Sequence, residues 1–153
     1  MGADLMVRAE VDIREVLELL TEVDRAGRNA TPAMRDIAQR LRSDILLNFR
    51  TGGSFPEKWS PSERVKEEGG QTLVDKATLR NSQHADWSAT EAAAGTDVVY
   101  GGIHQFGGVC GRNYATTLPA RPFLPIDASG NLRPGTARFA ADRLLDNIIG
   151  GAT

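Results

Sequence analysis

The chain has 153 residues and a mass of 16.5 kDa, 41% of them hydrophobic and 25% charged, which is enough for one domain spanning 1–153 and too little for two. No apolar run approaches the ~20 residues that span a bilayer and no basic, then apolar leader opens the chain, so no membrane segment is expected and folding in a cytoplasm follows. A formal net charge of −2 with a pI near 5.7 argues against a dedicated nucleic-acid binder, and the single cysteine, Cys110, excludes an internal disulfide and cannot alone make a zinc site.

From the N-terminus, Leu5, Val7, Ala9 and Val11 alternate with Met6, Arg8 and Glu10, the period of a half-buried strand over 4–11. Asp12 then caps a helix, with Glu15 three residues on as in a capping box, and Ile13, Val16, Leu17, Leu20 and Val23 form its apolar face up to Gly27. A second helix follows, capped by Asn29 or Thr31 with Pro32 in its first turn. Its stripe runs through Met34, Ile37, Leu41, Ile45 and Leu46 or Phe49 to a stop at Thr51, Gly52 and Gly53. The other face is mostly Arg, Asp, Gln and Ser, so this helix is expected to lie on a sheet with its charges in water.

Between Thr51 and Gln71 no period holds, and only Phe55, Trp59 and Val65 are apolar. Such a loop buries too little surface to offset a backbone ordering cost of ~1–2 kcal/mol per residue. The expectation is a projecting arm that orders against a neighbouring subunit, with Phe55 and Trp59 at the interface and Trp59 stiffened by Pro56 and Pro61. The competing reading folds Trp59 back over the chain's own core. Residues 83–88 and 91–97 read as two short strands around Ala89 and Thr90, rich in Ala and so weak in β propensity.

Tyr100, Ile103 and Phe106 or Gly107 then lie three or four apart, on one face of a short aromatic helix that Gly107 and Gly108 end by supplying positive φ. After an exposed loop over 109–118 comes a segment that cannot be helical. Pro119, Pro122 and Pro125 fix φ and remove donors, so 120–126 is expected as a stiff strand or edge segment, with Phe123 in the core beside a buried Phe106. Ala137, Ala140, Ala141, Leu144, Leu145 and Ile148 make a last amphipathic helix, from about Pro134 to Gly150 and Gly151.

These motifs carry a resemblance. Tyr100 ahead of Ile103-His104-Gln105-Phe106-Gly107, answered by Ala120-Arg121-Pro122-Phe123-Leu124, resembles the paired signature of the virion morphogenesis (tail completion) proteins of tailed bacteriophages. Trp59-Ser60-Pro61 matches that family's Trp-x-Pro, although Ser54-Phe55-Pro56-Glu57 replaces the Asp-Pro-x-Gly that often precedes it. The run from Leu73 to Ser82 is similar to its Leu-x-x-Thr-Gly-x-Leu-x-x-Ser, a short helical turn feeding a hairpin, with Lys76 and Ala77 in place of Thr-Gly. The resemblance covers most of the chain. With the element order it implies an α+β fold: a small antiparallel or mixed sheet packed by the N-terminal helix pair and the C-terminal helix, with the long loop projecting. It also implies a structural subunit of the phage neck, a homo-oligomeric ring expected to be a hexamer, set between a connector or adaptor and a tail terminator or tail tube. DNA would meet it only in passing through the channel, and no cofactor is implied.

The candidate functional residues are thus Phe55, Trp59, Tyr100, His104, Gln105, Phe106, Arg121 and Phe123, all assigned to packing or interfaces. His84 and His104 are the only imidazoles, and no nucleophile elbow, His-Glu-x-x-His pair or phosphate loop accompanies them. His84, His104 and Cys110 lack a recurrent ligand spacing, so no metal is expected. His104 reads as a packed residue hydrogen-bonded to a backbone carbonyl. Arg121, stiffened between bulky neighbours, suits a bidentate contact with a carboxylate in the fold or on a neighbour, as a clamp between its own segment and the long helix. The alternative is a small intracellular enzyme using His104 with Arg121 or Asp127; the lack of a catalytic signature favours the structural subunit.

Overall fold

The computed structural model describes residues 14–151. The strand expected over 4–11 and the Asp12 cap lie outside the described residues. The described chain is α+β, as expected, and its helices are α1 Arg14–Arg28, α2 Thr31–Thr51, α3 Glu63–Glu68, α4 Thr78–Asn81, α5 Gly101–Phe106 and α6 Pro134–Gly151. The strands form two separate antiparallel pairs rather than one sheet. β1 His84–Trp87 pairs with β2 Ala92–Gly95, and β3 Gly108–Cys110 pairs with β4 Thr116–Leu118.

Helix α2 is the spine. Pro32 sits in its first turn, where a missing N–H costs nothing, and Gly52 closes it in a left-handed cap whose N–H reaches the Asn48 carbonyl. It packs against α6 and against both strands of the first hairpin, and α6 packs in turn against α1. Ala33, Ile37, Ala38, Ile45 and Phe49 are buried along it. Two polar residues are buried with them, correcting the expectation that the helix keeps its charges in water. Asp44 accepts hydrogen bonds from Arg40 Nε (3.2 Å) and from the buried Thr136 hydroxyl at the start of α6. Asn48 is almost fully buried and bonds five groups of the two segments that cross the helix end. A buried polar group is tolerable only when partnered in this way.

The core proper is Ile45, Phe49, Trp59, Leu79 and Phe123, with Leu73, Val74, Ala94, Val98 and Leu124 packed around it. Phe49 lies edge-on to Trp59, with ring centroids 5.6 Å apart, and tilted against Phe123 at 5.5 Å. Burying side chains of this kind contributes roughly 1.5–3 kcal/mol each, and an edge-to-face pair about 0.5–1.5 kcal/mol more.

The 51–71 segment is not a projecting arm. Trp59 is only 6% exposed, and its indole N–H donates to the Pro122 carbonyl at 2.8 Å. The rest is tied to the same body: Ser62 N–H donates to Thr72 Oγ1, Gln71 Nε2 to the Arg50 carbonyl, and Ser62 caps α3 by accepting from Val65 N–H. One large aromatic ring in the core, together with these bonds, supplies what the segment's composition lacks.

Both Ala-rich strands form as read. Ser88 turns the hairpin, its N–H donating to the Glu91 carbonyl while its hydroxyl accepts from the N–H groups of Thr90 and Glu91. Packing on α2 stabilises strands whose own propensity is low. The loop expected over 109–118 is instead a second, small hairpin, β3 and β4, joined through a 3-10 turn at Arg112–Tyr114.

Candidate assembly surface

The segment Pro119 to Pro125 belongs to no strand, and of 120–126 only Ile126 makes a β-bridge, an isolated one with Leu132, which corrects the reading of 120–126 as a strand or sheet edge. Three prolines leave it short of donors, and side chains from elsewhere satisfy the groups that remain. Gln105 Oε1, on α5, accepts from Phe123 N–H at 2.9 Å and from Leu124 N–H at 3.0 Å. Asn48 Nδ2 donates to the Phe123 carbonyl at 2.9 Å and to the Phe55 carbonyl at 3.0 Å. With the Trp59 indole on Pro122, and Arg121 N–H donating to the His104 carbonyl at 2.7 Å, the two halves of the motif are knotted to each other and to α2.

Arg121 is 5% exposed and makes no contact with a carboxylate among the described residues. Its Nε donates to the Ser60 carbonyl at 2.9 Å and its Nη2 to the Pro61 carbonyl at 3.4 Å. The clamp is real, but it grips the 51–71 segment and not the long helix. Burial desolvates the guanidinium, which lowers its pKa. Gly107 is where α5 must stop. Its φ is +71°, and a Cβ there would lie 2.7 Å from the Ala120 nitrogen, so only glycine lets the aromatic turn meet the Pro-rich segment this closely.

Around this knot the aromatic turn faces outward. Phe106, expected in the core beside Phe123, is 76% exposed; Gln105 occupies the inward position, and Phe49 is what packs on Phe123. A helix of six residues has few positions facing the core, and hydrogen-bonding a donor-bearing segment requires Gln105 at one of them. Tyr100 is also exposed and lies edge-on to the His104 ring, centroids 5.9 Å apart. Val99, Val109 and Tyr114 are exposed as well. Phe55 is half-buried, held through its carbonyl by Asn48.

His104 departs from its expected role. Its Nδ1 is buried without a hydrogen-bond partner, and it is the backbone carbonyl of His104 that serves Arg121. Burial first, and then the nearby charge of Arg121, hold its pKa below the ordinary 6.5. His104 and Arg121 line one cleft with Tyr100, of about 380 Å³, whereas Asp127 lines a different one. Asp127 is occupied in its own turn, accepting from the backbone N–H and side-chain amide of Asn131 and from the Ser129 N–H, which lowers its pKa. The structure therefore brings His104 and Arg121 together and leaves Asp127 apart. Asn48 and Asp44 were the site and core residues the pattern reading passed over. Asp44 follows Leu41 by three and Asn48 follows Ile45 by three, spacings that put both on the apolar stripe.

This is an α+β scaffold in which Gln105, Arg121 and Phe123 are consumed in building the fold while Tyr100, Phe106 and Tyr114 are exposed. Over residues 11–133 the chain matches the phage virion morphogenesis family, and it belongs to that family. It is 35% identical, over 120 residues, to the Mu-like prophage FluMu G protein 2 of Haemophilus influenzae, an alignment covering 78% of this chain and 83% of that protein. No solved structure matches it. The chain is thus a phage virion morphogenesis protein. Among its described residues no helix is long and apolar enough to cross a membrane.

Proposed function

We propose that the chain is a structural subunit of the phage neck, a tail completion or head–tail joining protein with no active site. It assembles in the host cytoplasm as a ring of identical copies, six by the symmetry of the tail side. In the particle it presents one face to a head connector or adaptor and the other to a tail terminator or tail tube, with DNA meeting it only as it passes through the channel. The observation that carries this reading is the division of labour within the paired motif. Gln105, Arg121 and Phe123 are spent on scaffolding, while Tyr100 and Phe106 stand exposed. Membership of a virion morphogenesis family supports the same assignment.

The experiment is deletion of the coding sequence followed by complementation. Complete heads and complete tails that remain unjoined, and that join when purified chain is added to the extract, are the expected outcome. Normally joined particles from the deletion, or tails that never form, would show that the chain acts elsewhere in morphogenesis.

A further inference from the structure

The β3–β4 hairpin stands off the body. Every residue from 111 to 117 is exposed, and the ribbon has three paired positions, Gly108 with Leu118, Val109 with Thr117 and Cys110 with Thr116. So short a two-stranded ribbon is marginal in water unless something packs on it. At its tip Asn113 and Tyr114 both take left-handed backbone angles, φ +60° and +53°, which L residues adopt only at a cost, and the Tyr114 ring is 76% exposed. Its one charged residue, Arg112, has no ion-pair partner among the described residues.

Beside the base of the hairpin is a cleft of about 420 Å³ with apolar walls of Pro56, Phe106, Pro122 and Ile126 and two acids, Glu57 and Asp127, at its edge. The Asp127 carboxylate accepts hydrogen bonds only from neutral groups of its own turn, and Glu57 has no ion pair among the described residues. The cleft is therefore apolar and uncompensated negative, and the hairpin tip is aromatic and uncompensated positive. Their features match, but within one molecule they are kept apart. The tip stands three strand residues from the Phe106 end of the hairpin, roughly 10 Å at the rise of a β-strand.

We propose that this hairpin is an assembly arm. Tyr114 of one copy enters the Phe106 cleft of a neighbouring copy, and Arg112 pairs there with Glu57 and Asp127. The inference rests on the chain being a self-assembling subunit, and it supplies the contact between copies. Tip and cleft are different surfaces, so the contact is head-to-tail and repeats around a ring when the rotation closes.

The test uses the full chain in a Cys110→Ser background, with Tyr114→Cys in one preparation and Ala128→Cys, on the cleft wall, in another. Mixed and oxidised in the assembled state, the two are expected to give a disulfide dimer of one with the other, and neither to give one alone. In sedimentation, Phe106→Ala and Arg112→Glu should each weaken self-association about tenfold or more without moving the thermal midpoint. Arg112→Glu combined with Glu57→Arg should recover most of that loss. Counting copies per particle by quantitative mass spectrometry separates the two levels of the argument. Many copies per particle with no mixed disulfide, and with Phe106→Ala assembling like the parent, overturns the arm and leaves the ring. One copy per particle overturns both.

Discussion

Burying an imidazole that has no partner for Nδ1 gives the molecule a pH dependence that can be traced to one residue. Desolvation by burial, then the charge of Arg121, disfavour the protonated form of His104 and set its folded pKa below 6.5, so the unfolded chain takes up the proton first as pH falls. The stability due to neutral His104 is therefore fully present above pH 6.5 and is lost as pH drops through the lower, folded value. His104→Gln should flatten that loss. Thermal melts taken downward from pH 7.5 are expected to converge or cross, with the parent losing midpoint more steeply than the variant below pH 6.5. Parallel curves would mean the ring is solvated when the chain is folded.

Elements here are held by particular residues at their ends more than by propensity. The turn that introduces α4 requires a left-handed residue, and Ala77 supplies it at φ +57°. The motif that this stretch resembles has glycine where Ala77 stands, and the backbone explains why: an L residue in that region costs ~1–2 kcal/mol, which glycine avoids while giving back part of the gain through its freer unfolded state. Ala77→Gly is expected to stabilise the chain by up to about 1 kcal/mol, read as a higher midpoint in thermal or urea unfolding. A lower midpoint would show that the alanine methyl contributes packing worth more than the backbone strain. The Pro119–Pro125 segment shows the same economy in the other direction. Lacking the donors for a ladder, it is held by Gln105, Asn48 and Trp59 from three separate parts of the chain.

For the whole molecule, the decisive contact is the one between the spine and the C-terminal helix. Arg143 on α6 forms an ion pair with Asp36 on α2, while the Asp44 and Thr136 pair closes the far end of the same interface. The hydrogen bond from Arg143, opposed in part by desolvation, holds the Asp36 carboxyl below its ordinary 3.8. A depressed carboxyl contributes stability that is present above pH 3.8 and is lost as pH falls through the folded value. Arg143→Met should thus lower the unfolding free energy at pH 7, by no more than about 1 kcal/mol because both side chains remain partly in water. The difference from the parent should vanish once the pH is low enough to protonate Asp36 in the folded state. A difference that persists at pH 2 would place the effect in packing of the arginine stem.

By itself the sequence determined what depends on local periodicity and on backbone chemistry. The span of α2, the start and end of α6, the first hairpin and its turn, and the stop of the aromatic helix at Gly107 are all set by residues within a few positions of one another. It also set the aromatic turn against the Pro-rich segment, but through Phe106 on Phe123, where the fold uses Gln105. Only the tertiary structure decided which way each side chain faces and what it meets. On a six-residue helix a rotation of about 100°, one residue, exchanges Gln105 for Phe106, and no periodic signal that short distinguishes them. Trp59 is buried because Pro122, 63 positions away, offers its carbonyl and Phe49 its ring. Asn48 is tolerated in the core for a comparable reason, with Phe123 75 positions distant. Contacts of that separation are paid for by closure of the whole chain, so composition along the 51–71 segment spoke for an arm, whereas the fold made that segment part of the body and left the exposed ribbon at β3 and β4.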